Sequence, residues 1–504
     1  MTDHSKMLEY RGLKLYAAII CALATYGSLT AVPDASDWRV ARGLDRVLSN
    51  SALEGAFVGV LAVDLRTGRT LYSRNADLFF LPASNQKLLT TAAALHWLGP
   101  EFRYATCVRA SGSVGPDSVL RGDLVVNGSG DPSLSRTFGI DPDSVFRSWA
   151  DSLKARGVAR ISGSVVGDES TFDQTRLGYG WDWHYLSFWY APEVSALSCG
   201  DNSVVMHVSP AKSLGERAGV ELSPRTSFVS VVNNSCTGNP GCGDGVTIQR
   251  TPGANEIHVG GHIPADAPRR SYRISVSDPA LFFAHRLTEA LRQGSVRVDG
   301  EPRSVSEACT LGVEMFSHHS PELESIVAVT NRLSANLGAE MLLKTMGVRA
   351  FGKGTFRDGC RAVKAYLSTT GSDTSGLHCV DGSGLSRRNL VSPRMLVDLL
   401  MARWEEDSTG GLFASLPVSG SEGTLEGRMR DEYLAGRVHA KTGTLDQTST
   451  LAGYVLARGR RPVAFVIMSN HFIEDLSKVR SLEDEMVGVL ARYRPRYEHP
   501  RERR

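Results

Sequence analysis

Between about residues 105 and 310 the chain changes texture, and that interruption constrains its fold more than any other feature. Short Val/Ile runs, such as Asp123–Val126, Ser162–Val166, Val204–Val208, Val246–Gln249 and Glu256–Val259, alternate there with Gly, Pro, Asn, Asp and Ser. This pattern predicts mostly antiparallel strands, broken by one helix over about Pro279–Gln293. Upstream, Ala56–Asp64 and Thr70–Asn75 predict a hairpin, and Ser84–Leu98 predicts a helix stopped by Gly99-Pro100. Downstream, helices are predicted over Pro321–Met346, Thr355–Leu367 and Ser392–Arg403. A meander follows, Val438–Thr442, Ser449–Leu456 and Pro462–Met468, with turns at Gly443 and Gly459, and then a last helix over about Glu474–Tyr493. Strands come first and last, helices lie between, and about 200 mainly β residues are inserted after the first helix. One α/β domain split in two satisfies this order, its first and last strands sharing a sheet.

At 504 residues the chain has room for about three domains of roughly 150 residues. Hydrophobic residues make up 42% and charged residues 22%, which excludes both a mainly disordered chain and a multi-span membrane protein. A net charge of +2 supplies no overall field for nucleic acid. The N-terminus carries Lys6, Arg11 and Lys14, then the apolar stretch Leu15–Ala24, then small residues. This layout predicts a secretory signal over 1–31 and an exported, periplasmic or extracytoplasmic protein, with peripheral membrane contact open. Export permits disulfides; Cys236 with Cys242, and Cys360 with Cys379, are candidate pairs among the eight cysteines. No Cys/His spacing suits zinc, and His318-His319 reads as a loop. The Arg-rich stretch 492–504 reads as a solvated tail.

Three short motifs bear chemistry. Ser84-Asn85-Gln86-Lys87 places a hydroxyl and an amine on one helical face. Lysine can take the serine proton when burial or nearby cations lower its pKa. Ser334-Ala335-Asn336 offers a hydroxyl to relay a proton and an amide to hold a substrate amide. Lys441-Thr442-Gly443-Thr444, at a strand end, offers a cation and hydroxyls to a carboxylate, with Gly admitting a close backbone. A second SxxK, Ser209-Pro210-Ala211-Lys212, follows a strand and opens no clear helix.

In this order the set resembles the penicillin-recognising serine acyl-transferases. The separation of about 250 residues between Ser84 and Ser334 narrows the resemblance, as do the strings Pro82–Lys87, Gly128–Pro132, Ala191–Leu197, Asp381–Arg387, Leu416–Gly420 and Gly423–Leu425. The chain is similar, from about Gly55 to Asn470, to the D-alanyl-D-alanine carboxypeptidase/endopeptidases of the DacB type. The resemblance implies a transpeptidase/β-lactamase-like α/β (α+β) catalytic domain, an antiparallel sheet flanked by helices, carrying mainly β inserted domains. The division it implies is 32–105 with 310–491, then 106–205 with 270–309, and 206–269 innermost. It further implies a serine DD-peptidase of peptidoglycan stem peptides, inhibited by β-lactams, with no metal or organic cofactor. Ser84, Lys87, Ser334, Asn336 and Lys441 would be catalytic. Thr442, Gly443 and Thr444 would bind substrate, and Asp168 and Phe172, in an inserted segment, would approach the stem. The readings of Asp168 as a turn cap and Phe172 as a core ring stand beside this. Tyr179–Tyr190, with three of the seven Trp, reads as packing between insertion and catalytic domain rather than stacking on sugars. The alternatives are a β-lactamase, which lacks here a dedicated deacylation glutamate, and a non-catalytic wall-binding or β-lactam-sensing protein. Oligomeric state is not legible.

Overall fold

A computed structural model describes residues 35–308, 312–407 and 410–495. The signal segment 1–31 and most of the basic tail lie outside these residues. Five antiparallel strands form the main sheet: β1 (Phe57–Asp64), β2 (Arg69–Arg74), β3 (Val438–Leu445), β4 (Thr448–Ala457) and β5 (Arg461–Asn470), in the order β2-β1-β5-β4-β3. The first strand and the last pair along their whole length, from Phe57 opposite Asn470 to Asp64 opposite Val463.

Strand alternation splits β5 between two cores. Val463, Phe465 and Ile467 face one way, toward α1 (Ala35–Leu48) and the final long helix over Leu476–Ala491. Ala464, Val466 and Met468 face the other, toward a second layer of helices. These are α2 (Gln86–Leu98), α3 (Leu323–Arg332), α4 (Asn336–Phe351), α5 (Phe356–Thr369) and α6 (Pro393–Glu406); the Leu476–Ala491 helix is α7. Helices on both faces explain why β4 and β5 are buried along nearly their whole length, whereas the edge strand β2 is largely exposed. Local signals set the helix limits. Ser392 accepts from the Met395 amide at 3.2 Å, and Pro393 follows at the first helical position. Gly352 at φ 73° closes α4.

Several sequence expectations need correction. The single helix predicted over Pro321–Met346 is two, α3 and α4, broken at Ser334, which has φ 56°. Gly443 is no turn but lies inside β3; the reversal falls at Asp446-Gln447, where Gln447 takes φ 57°. Ser84 sits in a single 3-10 turn, Ala83–Asn85, just before α2. His318-His319 ends the strand Val313–His319.

The insertion is not mainly antiparallel. Its five-stranded sheet runs Arg303–Val305, Val165–Asp168, Leu124–Asn127, Ala105–Ala110, Val313–His319, with the first three parallel to one another. Parallel neighbours need a long crossover. One such crossover contains a helix, Pro142–Ala155, that the sequence reading misses. Phe146, Trp149, Ala150 and Leu153 make its buried face and pack against Phe283 of the helix Pro279–Gln293. Residues 203–275 add three small sheets. Cys236, Cys242, Cys360 and Cys379 are free thiols, although the Cys360 and Cys379 sulfurs lie 3.1 Å apart. Ser209 ends a strand, Ser203–Ser209, so the second SxxK is not on a helix. Among the described residues, no helix is long and apolar enough to cross a membrane.

Candidate active site

Two strands of the main sheet hold the turn that presents Ser84. The Asn470 side chain accepts from the Leu81 amide at 2.8 Å, and the Thr450 hydroxyl donates to the Pro82 carbonyl at 2.9 Å. Ala83 adopts φ 45°, a left-handed conformation that costs a non-glycine residue about 1–2 kcal/mol. β3 then passes against this turn. A Cβ on Gly443 would lie 2.8 Å from the Pro82 carbonyl oxygen and 2.9 Å from the Ser84 nitrogen, so only glycine allows the approach.

α2 begins two residues after Ser84 and turns Lys87 back onto it. The Lys87 ammonium nitrogen is 2.9 Å from Ser84 Oγ, 2.7 Å from Asn336 Oδ1 and 2.8 Å from the Ser383 carbonyl. Lys87 is wholly buried. Burial pulls its pKa down from 10.5 to about 7, against the opposing pull of Glu340 and Asp381. Those carboxyls shape the floor beneath it. Glu340 accepts from the Gly382 and Ser383 amides at 2.7 and 2.8 Å. Burial, and then the charge of Asp381, push Glu340 up to about 8. Asp381 is likewise raised by burial while accepting from Trp181, Gly384, Ser386 and Asn389. The Asp381–Ser386 loop therefore fixes the Ser383 carbonyl that orients Lys87. The family resemblance already points Asp381–Arg387 to a structural role beside the site; the structure shows which carbonyl it fixes.

Ser334 stands in the strained break between α3 and α4 and lines the same cleft as Ser84. Strain of this kind concentrates at functional positions. Asn336, at the start of α4, donates to the Tyr190 carbonyl at 2.6 Å, so the insertion reaches the site. Lys441 is fully buried, and burial followed by the charge of Lys87 drives its pKa well down. Its ammonium donates to the Thr442 carbonyl at 2.9 Å. The Thr442 hydroxyl donates to Thr424 at 2.8 Å, and Thr444 accepts from Arg480 at 2.9 Å.

Ser84, Ser334, Asn336, Thr442 and Thr444 share one cleft of about 1130 Å³. Asp168 and Phe172 lie outside its lining. Asp168 is buried, accepts from Asn127 at 2.7 Å and from the Ser170 amide at 2.9 Å, and so closes an Asx turn. Phe172 is a core ring wedged against Gly130 and Gly354. The sequence reading missed Arg480, on α7, which lacks any local motif. It favoured packing over sugar stacking for Tyr179–Tyr190, whereas Tyr185, Trp189 and Tyr190 line the cleft. Trp181 does pack, donating to Asp381 at 2.9 Å. Among the described residues, no group of three or more His, Cys, Asp or Glu is placed to hold a metal.

Comparison with known proteins agrees with this architecture. A D-alanyl-D-alanine carboxypeptidase of Actinomadura sp. (strain R39) is 36% identical over 484 residues, 91% of this chain and 87% of that protein. The carboxypeptidase DacB of Haemophilus influenzae is 27% identical over 435 residues, 84% of this chain and 88% of that protein. The crystal structure of penicillin binding protein 4 (dacB) from Haemophilus influenzae superposes with a TM-score of 0.81 at 24% identity, covering 89% of this chain and 99% of that one. The profile of the D-Ala-D-Ala carboxypeptidase 3 (S13) family matches residues 40–493. The chain belongs to that family.

Proposed function

We propose that this protein is an exported serine DD-peptidase that hydrolyses D-Ala-D-Xaa bonds of peptidoglycan stem peptides through an acyl-enzyme on Ser84. The observation that carries this reading is the buried Lys87 amine, 2.9 Å from Ser84 Oγ with its pKa drawn to about 7. An amine of that pKa is neutral for much of the time near neutrality, which a general base requires. Lys87 takes the Ser84 proton as Oγ attacks the D-Ala carbonyl. The backbone N–H groups of Ser84 and Thr444 receive the developing oxyanion. Ser334 passes a proton to the leaving amine, which departs as the free D-amino acid or the released cross-link. Water then attacks the ester, and Ser84 recovers its proton.

Recognition falls to the strand edge and its neighbours. Thr442, Thr444 and the Arg480 guanidinium line one end of the cleft, with Lys441 buried beside Thr442, and this end suits the terminal carboxylate. Gly443 admits the substrate backbone against β3. Tyr185, Trp189 and Tyr190 supply an apolar wall for the stem. β-Lactams, which carry a carboxylate beside a reactive amide, fit the same groups and would acylate Ser84. The domain division 32–105 with 310–491, 106–205 with 270–309, and 206–269 remains part of this proposal. In this reading the turn before α2, α2, the α3–α4 junction and β3 supply the reacting groups, and the insertion supplies a wall and the Tyr190 acceptor for Asn336.

Incubation of the protein with purified monomeric and cross-linked muropeptides, with products identified by mass, tests the reading. Loss of a terminal D-Ala, or cleavage of the D-Ala cross-link, is expected. Stable acylation by β-lactams with no peptide product would instead favour a sensor.

A further inference from the structure

The two ends of the described chain converge on a groove that shares no residue with the cleft. Twelve residues line it; six are arginine and none is acidic. Arg39, Arg42 and Arg46 come from α1, Arg458 from the turn after β4, and Arg492 and Arg494 from the end of α7 and beyond. All six are exposed. None of them forms an ion pair among the described residues; the partners they have are neutral. Arg42 lies 5.2 Å from the centre of the Trp38 ring, and Arg492 lies over Tyr433 and donates to the Gly488 carbonyl. In a chain whose net charge is only +2, this is a strong local asymmetry.

The geometry of α1 makes the asymmetry a surface. Val40, Leu44, Val47 and Leu48 lock one face of the helix into the core. Arg39, Arg42 and Arg46, spaced three and four apart, therefore project together from the other. Trp38 is 57% exposed, an indole left beside guanidinium groups where core packing has no use for it. Arginine with tryptophan on the outer face of an amphipathic helix is the composition of an interfacial element. The cations attract lipid phosphate, and the indole settles at headgroup depth. The sequence extends the charge: Arg496, Arg501, Arg503 and Arg504 outnumber Glu498 and Glu502 in the tail.

We propose that this face docks the protein onto an anionic phospholipid surface, with Arg39, Arg42 and Arg46 contacting headgroup phosphates and Trp38 entering the interface. Biologically this rests on the proposed export, which brings the chain beside a membrane; the test depends on neither export nor catalysis. An anionic wall polymer would also use the arginines; the exposed indole on a helix whose opposite face is locked into the core is the arrangement of a membrane interface, which is why a membrane is favoured.

The test is co-sedimentation of the full chain with vesicles of phosphatidylglycerol and phosphatidylcholine, or of phosphatidylcholine alone. Wild type is expected on the anionic vesicles and not on the neutral ones, with binding that falls as salt rises. The triple variant Arg39→Glu/Arg42→Glu/Arg46→Glu should lower the partition coefficient by at least roughly a hundredfold, and Trp38→Ala should lower it several-fold. Both variants should acylate with penicillin at the wild-type rate, showing that they are folded. Equal binding to both vesicle types, or wild-type binding by the triple variant, would overturn the proposal. So would retention of wild type on purified anionic wall polymer but not on vesicles.

Discussion

Lys87 sits where two opposed demands meet. It must be close enough to Ser84 to take a proton, and it must be neutral when it does so. Burial supplies the second condition by penalising the ammonium, while Glu340 and Asp381 limit how far the pKa falls. A pH profile follows with a definite sign. Below about 7 Lys87 is increasingly protonated, and acylation should slow about tenfold per pH unit. Above about 7 the neutral amine dominates and the rate should level off. Single-turnover acylation by a chromogenic β-lactam between pH 5 and pH 10 measures this, at roughly one-unit steps. A rate still climbing as pH approaches the ordinary lysine value near 10.4 would mean that burial does not tune Lys87. At this scale the sequence was informative. The pair Ser84 and Lys87, three apart at a helix start, was legible because helical spacing alone brings them together. Glu340 and Asp381 were not, since they meet Lys87 only through tertiary packing.

Elements bring the motifs together, and the decisive contact is between β3 and the turn that holds Ser84. Gly443→Ala should drive a methyl group into the Pro82 carbonyl and the Ser84 amide, forcing strand and turn apart. A displacement of about 1 Å at reacting groups costs on the order of a hundredfold in rate. The acylation rate constant should fall by at least that much while far-ultraviolet circular dichroism is retained; acylation within a factor of about two of wild type would refute the tight approach. The sequence misplaced this element because Gly443 is ordinarily a turn signal, and here it marks close backbone approach instead. The α3–α4 break was hidden for the converse reason. Nothing in Ile326–Leu337 is Gly or Pro, so propensity favours one helix, and only packing holds Ser334 at φ 56°.

For the molecule as a whole, insertion and catalytic halves are joined by partly buried polar contacts. Lys344, on α4, is entirely buried and pairs with Asp173 at 2.7 Å while donating to the Thr175 carbonyl. Asn336 bonds Tyr190, and Trp181 bonds Asp381. The insertion thus braces the site, and a catalytic part cut free of it would leave Lys344 and Asn336 without these partners. Asp173→Ala should strand the Lys344 charge. The cost should fall near the low end of the roughly 3–5 kcal/mol for breaking a buried pair, because Asp173 retains some exposure. The double change Asp173→Ala/Lys344→Met should recover most of that loss in a denaturant melt. No loss in the single variant would mean that the junction is not held this way. The interruption near residues 105–310 was legible from its strand-rich texture, but its parallel pairings were not. Those depend on which strands meet across long crossovers, which alternation does not encode.

The central claim is that Ser84 is the nucleophile of a serine acyl-transferase. Intact-protein mass spectrometry after exposure to benzylpenicillin tests it most directly, followed by digestion to locate the adduct. The account predicts a single added drug mass on the peptide containing Ser84, absent in Ser84→Ala. No adduct on the folded wild type, or an adduct on any other serine, would contradict it.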